Sequence, residues 1–74
     1  MRVKIRLDTM TDVNHFVNVV SQVDGNVVLT DKNRNFSVNG KSLIGALYTM
    51  EFSEIWCESE TDIYTKIKDF VIVE

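Results

Sequence analysis

The stretch Val38-Asn39-Gly40-Lys41-Ser42-Leu43-Ile44-Gly45-Ala46-Leu47 decides how this chain is read. A β-prone run over residues 35–39 arrives at Gly40, where a backbone without Cβ turns at little steric cost. Ser42 then stands where a helix N-cap is wanted. Leu43, Ile44 and Leu47 follow at i, i+1 and i+4, so a short helix is expected to bury an apolar edge.

Working outward toward the N-terminus, Asn26 to Thr30 reads as a strand and Asp31-Lys32-Asn33-Arg34 as a polar turn. Phe36 and Val38 continue as its hairpin partner. Before them, Val3, Ile5 and Leu7 alternate with Arg2, Lys4 and Arg6, the period-two pattern of a half-wet first strand. Thr9, Thr11 and Asp12 are candidate caps for a first helix. Val13, Phe16, Val17, Val20 and Val23 give that helix a buried stripe, and Asp24-Gly25 is expected to end it.

Beyond the opening stretch, Glu54-Ile55-Trp56-Cys57-Glu58 alternates again, with Ile55 and Cys57 inward and Trp56 outward. Ser59 or Thr61 is expected to cap a last helix, with Glu60 and Asp62 in its first turn. Ile63, Ile67, Phe70 and Val71 supply the buried stripe of that helix, although residues 70–73 are themselves β-prone. The order is β-α-β-β-α-β-α. Helices covering one face of a four-stranded antiparallel sheet explain why the strands alternate, and this is an α+β fold.

Seventy-four residues allow one domain, 1–74, in which burial covers only roughly 60% of the unfolded chain's surface. A hydrophobic share of 45% and a charged share of 26% are ordinary for a globular chain and argue against disorder. No apolar run approaches a bilayer span and no signal-peptide pattern opens the chain, so no membrane insertion is expected. The lone Cys57 excludes an internal disulfide and fits a reducing, cytoplasmic setting. Net charge −3 argues against nucleic acid as a partner, since phosphate contacts need clustered Lys and Arg.

Lys41, Ser42, Leu43, Ile44, Gly45, Ala46 and Leu47 together resemble the segment that precedes and forms the short middle helix of the phosphocarrier family HPr. That family belongs to the phosphoenolpyruvate:sugar phosphotransferase system. The resemblance implies an open-faced β-sandwich with strand order 1-4-2-3. The first and fourth strands would then be neighbours, with Lys4 and Arg6 facing Glu54, Trp56 and Glu58 on the solvent side.

In the family, the loop before the first helix carries a histidine followed by alanine, arginine and proline. The imidazole receives a phosphoryl group and relays it to sugar transporters, while the arginine and the helix N-terminus hold the phosphate. Aligned on the helix stripe, this chain has Thr9 in the histidine's place, Thr11 in the arginine's and Asp12 in the proline's. Aligned on the first strand, Asp12 takes the histidine's place, and a local match puts Asn14 there. The only histidine, His15, falls one position too late, so the site reads as degenerate.

The expectation is therefore a divergent family member, not an enzyme and not competent for histidine phosphotransfer. It would act as a regulatory, protein-binding module in carbohydrate uptake control. Two alternatives stay open: an active carrier with a rearranged site using His15, and a homo-oligomeric interaction domain, a homodimer being one form of it. A solvated surface histidine is the plain reading of His15. No cofactor is called for, and no second histidine or cysteine gives His15 metal-ligand spacing.

The resemblance also makes Ser42 a regulatory phosphorylation candidate, against the plain reading of a serine N-cap. It makes Leu43, Ile44, Leu47, Tyr48 and Met50 candidates for docking protein partners of the phosphotransferase or carbon-regulation type, with core packing favoured for Leu43 and Leu47. Trp56, outward on a half-open sheet, is a further interface candidate. Gly40-Lys41-Ser42 fails as a nucleotide loop, because Asn35 stands where that loop needs glycine.

Overall fold

The computed structural model describes residues 1–73; residue 74, the last of the expected 1–74 domain, lies outside the described residues. Four strands, β1 (Arg2–Ile5), β2 (Val27–Thr30), β3 (Ser37–Asn39) and β4 (Ile55–Ser59), alternate with three helices. These are α1 (Met10–Val20), α2 (Leu43–Tyr48) and α3 (Tyr64–Ile67), with a 3-10 turn (Thr49–Glu51) following α2. The sheet is antiparallel throughout, in the order β1-β4-β2-β3.

Register follows from the alternation. Val3, Cys57, Leu29 and Val38 lie opposite one another across the four strands, as do Ile5 and Ile55 across β1 and β4. This face meets Val13, Phe16 and Val20 of α1, Ala46 of α2 and Ile63, Ile67 and Phe70 around α3. Phe16, Val13, Val20, Leu29 and Ile67 are fully buried, each contributing roughly 1.5–3 kcal/mol of apolar transfer. The other rows, Arg2-Glu58-Val28-Asn39 and Lys4-Trp56-Thr30-Ser37, face outward. The result is an α+β open-faced sandwich.

Several boundaries differ from the sequence reading. α1 starts at Met10, because Thr9 is the cap, and ends at Val20; Val23 stays buried on the turn that follows. β3 starts at Ser37, leaving Phe36 exposed and stacked on Phe52 at 6.3 Å between ring centroids.

α3 is a single turn, and neither Ser59 nor Thr61 caps it. Ser59 is the last residue of β4 and its hydroxyl donates to the Thr61 carbonyl. Glu60 and Asp62 precede the helix rather than lying in its first turn. The Asp62 carboxylate accepts from the Tyr64 amide at 3.0 Å, and Met1 Sδ accepts from the Ile63 amide at 3.1 Å. The β-prone tail leaves the helix and lies along β1. The Arg6 amide donates to the Phe70 carbonyl at 2.8 Å, the Ile72 amide to the Lys4 carbonyl at 3.0 Å, and Val71 bridges Ile5. β-Branched residues gain more from an unpaired strand edge than from another helical turn.

α2 is capped by Ser42 as expected, but its phase is different. Ala46 is the residue wholly buried, Leu47 is half-buried against the core, and Leu43 and Ile44 are exposed. Close approach of backbones explains this. A Cβ on Gly45 would sit 2.9 Å from the Asn39 carbonyl oxygen, so small residues face inward and bulky ones are turned out. Gly40 serves the same purpose, since its Cβ would lie 2.8 Å from Val27 Cγ1.

Candidate functional site

The start of α1 holds Thr9, Thr11 and Asp12, the residues the resemblance places at the family's loop, and its hydrogen bonds are those of a helix cap. Thr9 is extended, and its hydroxyl accepts from the Asp12 amide at 3.1 Å. The Asp12 carboxylate reaches back to accept from the amides of Thr9 at 3.2 Å and Asp8 at 3.0 Å. This is a capping box, written as Thr-x-x-Asp, and it places a fixed carboxylate in the amide cradle that a helix start otherwise offers an anion.

Around it lies a shallow cleft of about 450 Å³ lined by Arg6, Asp8, Asp12, His15, Asp69 and the tail from Phe70 to Val73. His15 is exposed, its ring edge-on to Phe70 at 5.3 Å between centroids. Arg6 supplies the guanidinium and Asp8 sits 3.9 Å from its Nε. The structure thus brings Asp12 and His15 together with a cation, while Thr9 is spent as the cap and Thr11, exposed, does not line the cleft. Three carboxylates share this cleft with one guanidinium, a setting that repels rather than gathers a phosphoryl group. No group of three or more His, Cys, Asp or Glu among the described residues is arranged to hold a metal ion.

Ser42 stands at the second helix start. Its hydroxyl accepts from the Gly45 amide at 3.2 Å, and no acidic residue occupies the first turn of α2. Lys41 folds away, its Nζ donating to the Val23 carbonyl at 2.6 Å. Beyond the cap, Leu43, Ile44, Tyr48 and Met50 are all exposed, Ile44 the most at 82%. Tyr48 meets Phe52 edge-on at 5.9 Å, which links this surface to Phe36.

The outward sheet face is a lattice of paired charges. Glu58 accepts from Arg34 at 2.7 Å and Arg2 at 2.8 Å, and these cations hold its carboxyl below the usual range. Glu54 lies 3.4 Å from Lys4 and 4.0 Å from Lys32. Arg6, expected to face this group, pairs with Asp8 instead. Trp56 is outward but half-covered, with the Arg2 guanidinium 4.4 Å above its ring centroid. Cys57 is buried under the sheet, and burial pushes its thiol up to about 12, which leaves it unreactive.

The sequence reading missed that Arg6 and Asp69 line the same cleft as His15. Arg6 continues the β1 alternation in sequence, but the ladder with β4 stops at Ile5. Asp69 arrives only because the tail folds back along β1. The Thr9-to-Asp12 spacing was the readable signal for the box.

No protein-family model, curated protein or solved structure is matched by this chain. No helix among the described residues is long and apolar enough to cross a membrane.

Proposed function

We propose that this chain is an HPr-like, non-catalytic protein-binding module of the cytoplasm, acting in the control of carbohydrate uptake without relaying a phosphoryl group itself. The β1-β4-β2-β3 order and the Lys41-to-Leu47 segment support the likeness. The observation that carries the loss of transfer is the Asp12 carboxylate seated on the Asp8 and Thr9 amides, where an incoming phosphoryl group would need open donors. The exposed side chains of Leu43, Ile44, Tyr48 and Met50 are the docking surface in this reading.

The test is incubation of the purified chain with phosphoenolpyruvate and the family's first-step kinase, followed by intact-mass spectrometry, alongside calorimetric titration with the family's partner proteins. Binding without a phosphoryl adduct is expected. An acid-labile adduct on His15 favours the rearranged carrier instead, the reading that the presence of Arg6 and His15 in one cleft supports. Absence of binding to every such partner removes the proposal. Regulatory modification of Ser42 is checked by treatment with a family serine kinase and ATP, where incorporation should vanish in Ser42→Ala.

A further inference from the structure

We propose that Asn39-Gly40 is a site of spontaneous deamidation which the fold holds shut, and that its isoaspartyl product unseats α2. Five of the six asparagines precede His15, Val19, Val27, Arg34 or Phe36, whose side chains crowd the following amide. Only Asn39 precedes a glycine, where the next backbone nitrogen is unhindered.

In this reaction the Gly40 nitrogen passes its proton to solvent and attacks Asn39 Cγ. The Cγ–Nδ2 bond breaks, the leaving nitrogen takes up a proton and departs as ammonia, and a five-membered succinimide remains. Water then opens the ring at either carbonyl, giving an aspartyl or an isoaspartyl link. No oxidant, metal or enzyme enters the balance.

In the folded chain the reacting groups are held on both sides. Gly40 is buried and its amide donates to the Val27 carbonyl at 2.7 Å, so the proton that must leave is engaged. Asn39 Oδ1 accepts from the Lys41 amide at 2.9 Å, which fixes the carboxamide. Attack requires both bonds to be undone, a local opening of the corner where β3 meets α2. The fold itself imposes the labile pair, because a Cβ at position 40 would lie 2.8 Å from Val27 Cγ1.

The two products differ in their consequences. The aspartyl form keeps the backbone and an acceptor for the Lys41 amide. The isoaspartyl form turns the Asn39 main-chain carbonyl into a free carboxylate and carries the chain through Cβ and Cγ, one atom longer. That carbonyl now accepts from the Ser42 amide at 3.1 Å and lies where a Cβ on Gly45 would meet it at 2.9 Å, while Asn39 also pairs with Val28. A lengthened link cannot keep the β2 register and the close seat of α2 together, so the helix lifts. The chemistry does not rest on the carrier-like reading above. Where that reading holds, conversion retires the side chains through which the module docks.

The test ages the full chain in mildly alkaline buffer with and without urea, unfolding being checked by circular dichroism. Conversion is read by peptide mass spectrometry, and isoaspartyl methyltransferase labelling separates the two products. Mapping by peptide also distinguishes Asp24-Gly25, where isomerisation leaves the mass unchanged. Conversion at Asn39 is expected to be at least about tenfold faster in urea than in the folded chain, as for a bond reached only through opening. Returned to native buffer, the isoaspartyl fraction should lose the native amide shifts of α2, whereas Asn39→Asp should keep them. Equal rates with and without urea overturn the proposal. So does an absence of conversion at Asn39 in urea, or an isoaspartyl chain whose α2 shifts match the parent's.

Discussion

Two helices in this protein begin with a hydroxyl cap, and they differ in what the cap leaves behind. At α1 the Thr9 hydroxyl and the Asp12 carboxylate together take the amides of Asp8, Thr9 and Asp12, and the negative charge that suits a helix start is built in. At α2 the Ser42 hydroxyl takes the Gly45 amide alone, and no acid follows in the first turn. The first start is fixed by charge and hydrogen bonding, the second by shape. The seat of α2 depends on backbone-to-backbone contact at Gly45, where the Asn39 carbonyl leaves no room for a side chain.

If shape governs α2, the largest effect in either start belongs to Gly45→Val. Its Cβ would sit 2.9 Å from a backbone oxygen that cannot swing away, so α2 must lift from β3. Overpacking of this kind costs about 2–3 kcal/mol, which for a domain of this length lowers the melting temperature by roughly 10–20 °C. Thermal unfolding followed by circular dichroism reads it directly. An unchanged melting temperature would mean that α2 is not held by this contact, and the contrast with α1 would collapse.

Asp12→Ala comes next and probes the charged start. Removing the box frees two amides and should cost about 1 kcal/mol in denaturant unfolding. Inorganic phosphate at constant ionic strength should restore part of the loss, because the variant exposes the donors that Asp12 now occupies. The parent chain should gain little from phosphate. Equal stabilisation of the two would show that the carboxylate does not stand in an anion's place.

The same contrast shows what was readable in the sequence. Strand alternation fixed the faces of β1 and β4 correctly, because each side chain's side follows from a period of two and Ile55 and Cys57 had to share one face. The stripe of α1 was equally plain. α2 was misphased: Leu43 and Ile44 look like core residues by hydropathy, and only the backbone contact at Gly45 reveals that Ala46 faces inward. α3 was drawn too long, because nothing local says that Val71 and Ile72 will find the open edge of β1. That fold-back also decides who meets His15, since it carries Asp69 and Phe70 to the cleft. At the start of α1 the cap itself was legible in the spacing of Thr9 and Asp12, while the groups that surround it in the cleft came from long-range packing.

The smallest effect belongs to the cap of α2, and its sign under charge is more informative than its size. Ser42→Ala removes one neutral hydrogen bond at 3.2 Å and should cost about 0.5–1 kcal/mol in chemical denaturation. Ser42→Asp keeps an acceptor at the cap and adds a negative charge to a helix start that has none, so it should match or exceed the parent's stability by a few tenths of a kcal/mol. The matching change at α1, Thr9→Asp, places a third carboxylate beside Asp8 and Asp12 and should destabilise instead, most at low salt. Opposite signs for the two aspartates would establish that α1 already holds its anion and α2 still has room for one. Equal signs would mean that both starts answer to hydrogen bonding alone.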